Sequence, residues 1–318
     1  MNRYLSPKTE TVAPLALGCM NFGKRTPKPE ALRIIDAALD AGIGLLDTAN
    51  AYVDGESERI VGEALRGRDV LVATKVGFGR VNGAPEGLRP ERIRAACDES
   101  LKRLAVKVID LYYLHVPDHS TPLEASLEGI KSLLDAGKIR HWGVSNFASW
   151  QILEMRQIAA ANGMPMPAVS QQLYNAVVRQ LDIEYFKYTR RFPIHTTAYN
   201  PLAGGVLAGM HKPEAPAPKG SRFDKNTLYQ RRYWRSALFA AVEALREVAD
   251  AENTDLVGLS YAFVMGNPGI DSVLVGPGSE AHLNAALKAR EVALSEDAQR
   301  AMLQIYQDLV GTDASYAR

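Results

Sequence analysis

The chain has 318 residues, 47% hydrophobic and 23% charged, with a formal net charge of +1. That balance fits an ordinary globular fold and leaves no basic field for nucleic acid. No apolar run reaches membrane-spanning length, the stretch Met1 to Pro7 lacks the apolar core of a signal peptide, and only Cys19 and Cys97 are available for disulfides. A cytoplasmic protein without membrane or nucleic-acid partners is therefore expected.

In chain order, short apolar runs alternate with helical patterns. Eight candidate strands are Leu15 to Gly18, Gly44 to Thr48, Val70 to Lys75, Leu111 to His115, His141 to Asn146, Ala168 to Gln172, Ile194 to Tyr199 and Ser272 to Val275. Several are apolar on both faces, as in a parallel sheet covered on both sides. Helical periodicity runs over Glu30 to Ala41, Pro90 to Leu104, Leu123 to Ala136, Trp150 to Asn162 and Ser236 to Glu252. Gly42, Gly137 and Gly163 stand where helices stop, and Pro90 suits a first turn. Eight β/α units predict one α/β domain, a (β/α)8 TIM barrel. A doubly wound sheet is the rival, but Gly18-Cys19-Met20-Asn21-Phe22-Gly23 does not fit its glycine fingerprint, and Gly77-Phe78-Gly79 reads as a loop. His211 to Asn226 is the least regular segment; with its flanks it predicts a long loop at about 205–235 over the active face.

Three predicted strands end in an ionisable residue: Asp47, Lys75 and His115, with Tyr52 close behind the first. In a parallel barrel the strand C-termini converge on one face, so these four side chains are expected to meet. A phenol can donate a proton to a carbonyl oxygen that receives hydride. A lysine ammonium would stabilise the resulting phenolate and lower its pKa, an aspartate would keep that lysine charged, and an imidazole would orient the carbonyl. The hydride itself requires a cofactor. His115-Val116-Pro117-Asp118-His119 has a metal-like look, but no second ligand cluster accompanies it, so no metal is expected.

Leu46 to Tyr52, Thr74-Lys75, Asp110 to His115 and Gly143 to Phe147, in that order on the predicted strands, resemble the aldo-keto reductase family across nearly the whole chain. Tyr112 to His119, Tyr199 to Gly205, Arg232-Tyr233-Trp234 and the Tyr316-Ala317-Arg318 terminus are most like its aflatoxin-aldehyde reductase branch. The resemblance implies NADPH-dependent reduction of small aldehydes and ketones on a TIM barrel, with Tyr52 as acid/base supported by Asp47, Lys75 and His115. It implies that Ser145, Asn146 and Gln171 hold the nicotinamide carboxamide, that Tyr199 stacks on the ring, and that Gly18, Met20 and Asp47 line the same cleft. Asn200, Pro201, Leu202 and Gly204 would lie over the pyrophosphate with Arg222, and Gly276, Gly278, Ser279 and His282 at the adenosine end. Here His282 stands where the family commonly has Gln, Ala285-Ala286 replace a Glu-Asn pair, and Met210 replaces a lysine, so NADH is possible. Arg232 and Arg318 are the candidates for a substrate carboxylate, since a guanidinium pairs bidentately. Two other roles stay open on this scaffold: an NAD(P)-dependent sugar or alcohol dehydrogenase, or a cofactor-binding regulatory protein like the potassium-channel β subunits. A monomer and a homodimer are both compatible with the composition.

Overall fold

The computed structural model describes residues 8, 12–212, 215–312 and 314. From β1 (Leu15–Gly18) the chain passes through α1 (Lys28–Asp40), β2 (Leu45–Asp47), α2 (Glu56–Ala64) and β3 (Leu71–Val76). A short hairpin follows, β4 (Arg80–Val81) and β5 (Ala84–Pro85), and then α3 (Pro90–Leu104), β6 (Ile109–Leu114), α4 (Leu123–Asp135), β7 (Ile139–Ser145), α5 (Ser149–Ala161) and β8 (Val169–Leu173). The last third contains α6 (Tyr185–Arg191), β9 (His195–Tyr199), α7 (Thr227–Tyr233), α8 (Ser236–Ala251), α9 (Leu256–Gly266), β10 (Ser272–Val275), α10 (Glu280–Lys288) and α11 (Glu296–Val310).

Every expected strand forms, and the eight close into a parallel barrel in the order β1-β10-β9-β8-β7-β6-β3-β2. Register pairs such as Gly18 with Asp47, Asp47 with Ala73 and Ser145 with Gln171 bring the strand C-termini level at one rim. The strands are covered inside and out. Ala16, Leu45, Ala73, Leu111, Tyr113 and Val169 fill the lower barrel, while Ile34, Ile93, Ile130, Ile152 and Leu283 seal the helices to the sheet. Each such leucine, isoleucine or valine contributes about 1.5–3 kcal/mol by leaving water. One close approach needs glycine: a Cβ on Gly143 of β7 would stand 2.9 Å from the Tyr113 ring and 2.7 Å from the Val169 carbonyl. The expected helix stops hold at Gly42 and Gly137, whose amides return to Leu39 and Leu134.

Two features depart from the sequence expectation. The stretch at 205–235 is not a continuous loop. Ala203–Ala208 forms 3-10 turns, and α7 begins where the Asn226 side chain accepts from the Tyr229 amide. The irregular part between them is anchored rather than hanging free, because Phe223 is fully buried against His211, Tyr229 and Trp234. The second is the β4–β5 hairpin, joined through Asn82 and Gly83, both at positive φ. Val81-Asn82-Gly83-Ala84 is the sequence signal for such a turn. Among the described residues no helix is long and apolar enough to cross a membrane.

Candidate active site

Asp47, Lys75 and His115 sit at or just beyond the ends of β2, β3 and β6, and Tyr52 lies on the 3-10 turn after β2. The structure brings all four together. The Lys75 ammonium, 0% exposed, donates to Asp47, 1% exposed, and to the Thr48 carbonyl at 2.7 Å. It also lies 5.2 Å from the centre of the Tyr52 ring and 5.5 Å from that of Tyr113. The second oxygen of Asp47 accepts from the Gln171 amide at 2.9 Å. A buried ion pair persists when its remaining hydrogen-bonding capacity is filled, and Thr48 and Gln171 do that here. The His115 ring packs edge-on against Tyr52 at 5.7 Å, with Phe78 at 5.2 Å on another side.

Behind this cluster a polar network fixes its backbone. Thr48 and Ser57 hydroxyls meet at 2.8 Å, and Ser57 donates to the Cys19 carbonyl. Thr74, on the opposite face of β3 from Lys75, donates to Glu58 at 2.6 Å, and Arg103 closes on the other Glu58 oxygen at 2.5 Å. Glu58 is fully buried, so Arg103 and Thr74 compensate a charge held away from water.

Burial sets the protonation of the site. Desolvation, followed by the Asp47 charge, pushes the Tyr52 phenol well above its ordinary value. This reverses the expectation that Lys75 lowers it. Loss of water around the ring is the larger cause of the rise, and the Asp47 charge adds to it. Desolvation, then the Lys75 ammonium, pushes His115 well below its ordinary value, so its imidazole is neutral at pH 7. Its Nδ1 is buried without a hydrogen-bond partner.

The residues assigned to the nicotinamide end lie beside this cluster. Asn146, at φ 65°, donates to the His115 carbonyl at 2.9 Å and to Ser145 Oγ at 3.0 Å, and accepts from the Tyr199 hydroxyl at 2.6 Å. Burial pushes Tyr199 up to about 12, opposed by Arg232. Ser145, Asn146 and Gln171 together offer donors and acceptors of the kind a carboxamide needs, so the donor set fits a nicotinamide. Further along, Asn200 accepts from the Gly204 amide at 2.6 Å and donates to the Tyr233 hydroxyl at 2.7 Å. The space beside Gly204 is filled by Tyr229 and Phe223, so its lack of a side chain serves aromatic packing in this structure. Gly18 likewise faces Leu274 of β10. Pro201 is buried, and Leu202 and Met20 are partly so.

Arg222 reaches across the cleft, donating to Asn21 at 3.0 Å on the β1 side and to the Tyr229 hydroxyl at 3.2 Å. Arg232 stands 6.0 Å from the Tyr229 ring and 5.9 Å from that of Tyr233, on the same rim. In the turn expected at the adenosine end, Ser279 caps α10 by accepting from the His282 amide, and the His282 ring accepts from the Gly278 amide, both at 3.3 Å. A Cβ on Gly276 would make an ordinary contact, 3.8 Å from the Gly18 carbonyl oxygen. Arg318 lies outside the described residues. Asp118, in the string with a metal-like look, accepts from Leu88, Ser120 and Thr121, which pulls its carboxyl far down despite partial burial. Among the described residues no cluster of three or more His, Cys, Asp or Glu is placed to hold a metal ion.

Sequence reasoning missed Glu58, Glu86 and Tyr229. Their partners are remote in sequence, and only the Asn82-Gly83 turn signal announced the hairpin that leads to Glu86.

Comparisons with known proteins show the family and the fold. The model of the aldo/keto reductase family matches residues 14–307. Aflatoxin B1 aldehyde reductase member 2 from Homo sapiens is 34% identical over 309 residues, covering 92% of this chain and 84% of its own. A probable voltage-gated potassium channel subunit beta from Arabidopsis thaliana is 31% identical, covering 88% of each chain. Among solved structures, a glycerol dehydrogenase from Gluconobacter oxydans superposes with a TM-score of 0.80 at 27% identity, covering 100% of this chain and 99% of that one. The chain belongs to the aldo/keto reductase family and is an NAD(P)H-dependent oxidoreductase.

Proposed function

We propose that this protein reduces aldehydes and ketones to alcohols with NADPH, Tyr52 acting as the general acid. The observation that carries this reading is the meeting of Tyr52 with the Lys75–Asp47 pair and the His115 ring at one rim of the barrel. The dinucleotide supplies the hydride when bound. Tyr52 gives its proton to the carbonyl oxygen as negative charge develops there. Its raised pKa keeps the phenol protonated at neutral pH, which suits reduction. The Lys75 ammonium beside the ring stabilises the phenolate left behind. His115, neutral, can donate from one ring nitrogen to the same oxygen and aim it. Ser145, Asn146 and Gln171 suit the carboxamide, and Arg222 suits a phosphate. The preference for NADPH over NADH rests on the adenosine-end loop with Ser279 and His282. Arg232, on the rim beside Tyr199, suits a substrate carboxylate. Two free, buried cysteines suit a reducing cytoplasm.

The test is NADPH oxidation, followed optically, with an aromatic aldehyde and with succinic semialdehyde. Turnover is expected with both, and a preference for the semialdehyde supports Arg232. Replacing Tyr52 by Phe should lower the rate by about 10²- to 10⁴-fold while NADPH still binds; a rate near wild type would overturn the mechanism. A second reading, oxidation of an alcohol or polyol, draws on the likeness to a glycerol dehydrogenase. It predicts NAD+ or NADP+ reduction that rises with pH as Tyr52 loses its proton. Tight cofactor binding without turnover of either class would favour a regulatory role, as the name of the channel-subunit relative suggests.

A further inference from the structure

The reading above leaves one buried carboxylate beside the site without a task. Glu86, 3% exposed, follows β5 and has every oxygen lone pair engaged. One oxygen accepts from the Gly77 amide at 2.8 Å and the Gly79 amide at 3.2 Å. The other accepts from the Asn50 side chain at 2.6 Å and from Arg92 Nε at 2.9 Å. Two segments that meet the candidate site are thus tied to one group. Asn50 lies two residues before Tyr52, and its backbone amide is held by the Lys75 carbonyl at 3.2 Å. Gly77 and Gly79 flank Phe78.

The clamp explains the posture of Phe78. The amides on either side of it point at the same oxygen, which sends the phenylalanine outward. Its ring is 53% exposed yet stands 5.2 Å from His115. The loop has no slack. Gly77 holds φ 112°, a Cβ there would stand 2.5 Å from Leu88, and one on Gly79 would stand 3.1 Å from Glu86 itself. An exposed aromatic ring fixed beside the groups that would receive a carbonyl offers a flat apolar wall to whatever the carbonyl carries.

We propose that Glu86 is a positioning residue that sets a preference for carbonyl substrates bearing an aromatic or other flat apolar substituent, by locking Phe78 beside His115. The proposal rests on the reading of Tyr52 and His115 as the carbonyl site. A glutamine at position 86 would turn an amide donor toward one of the two donor pairs and release that side of the clamp.

The experiment compares kcat and KM for benzaldehyde and propionaldehyde in the wild type, Glu86→Gln, Phe78→Ala and the double variant. The ratio of kcat/KM for benzaldehyde over propionaldehyde should fall by about tenfold in Phe78→Ala, chiefly through KM. Glu86→Gln should lower the same ratio in the same way, and the double variant should fall no further than Phe78→Ala alone. A Glu86→Gln variant that lowers both substrates equally, or whose effect on the ratio adds to that of Phe78→Ala, overturns the proposal. Glu86 is buried, so loss of fold in Glu86→Gln is a possible result. Arg92→Ala, which removes a donor to Glu86 from outside the site, then takes its place; it should lower the ratio as Phe78→Ala does, and an unchanged ratio in either variant overturns the proposal. Tyr52→Phe measured alongside separates the two claims. If it retains turnover, the site reading itself falls; if it is inactive while the ratio tests fail, only the role of Glu86 falls.

Discussion

His115 is neutral in the fold because its ring is buried and a lysine ammonium is near. That has a consequence for stability. In the unfolded chain a histidine takes up a proton as pH falls below about 6.5, whereas the native ring does not. The native state therefore binds fewer protons, and stability declines as pH drops below that value. His141 and His211, also held low by burial, add to the same trend. Denaturant unfolding at about pH 7.5 and about pH 5.5 should show the loss, and His115→Gln should reduce the difference between them. At this scale the sequence pointed to the four groups that the fold brings together, because Asp47, Lys75 and His115 each stood out at the end of an apolar run and Tyr52 followed closely behind the first. It gave no access to Glu86 or Glu58. A glutamate between Pro85 and Gly87 looks like an ordinary loop residue until Asn50 and Arg92 are seen around it. The direction of the Tyr52 shift was also hidden, since it is set chiefly by desolvation of the ring, which only the fold shows.

Among elements, the strands were legible and many helices were not. Apolar runs on both faces mark a strand in a covered barrel, and all eight fall within two residues of the expected positions. α9 has eight of its eleven residues buried and so shows no amphipathic period to read. α7 is seven residues long and starts from an asparagine cap inside what composition alone suggests is loop. α2 is short, but it carries Glu58 and packs tightly on α3. A Cβ on Gly62 would stand 2.6 Å from the Leu104 carbonyl oxygen. Gly62→Ala should therefore push α2 off α3 and destabilise the protein by about 1–3 kcal/mol in chemical denaturation. A cost near zero would mean that α2 can shift without strain.

For the whole molecule, barrel closure turns separate strand ends into one site. Asp47 and Gln171 are 124 positions apart yet hydrogen-bonded. The residues expected at the nicotinamide end stand on strand ends, whereas Ser279 and His282, expected at the adenosine end, sit on a turn whose hydrogen bonds are internal to it. Ligand binding to the folded state alone should stabilise it by about 2.7 kcal/mol at a hundredfold excess over Kd. NADPH is accordingly expected to raise Tm more than NADH at equal concentration. An equal or larger shift with NADH would assign the cofactor preference the other way.

The turn that presents Tyr52 holds Val53 and Asp54 at φ 51° each, and Gly55 at φ 80° under the Arg103 side chain. A β-branched residue in the left-handed region carries about 1–3 kcal/mol of strain. Asparagine tolerates that conformation far better, so Val53→Asn should raise Tm, and a fall or no change in Tm would show the turn to be relaxed already. The strain lies one residue from the proposed acid. Selection of variants for heat tolerance should therefore reach this position early.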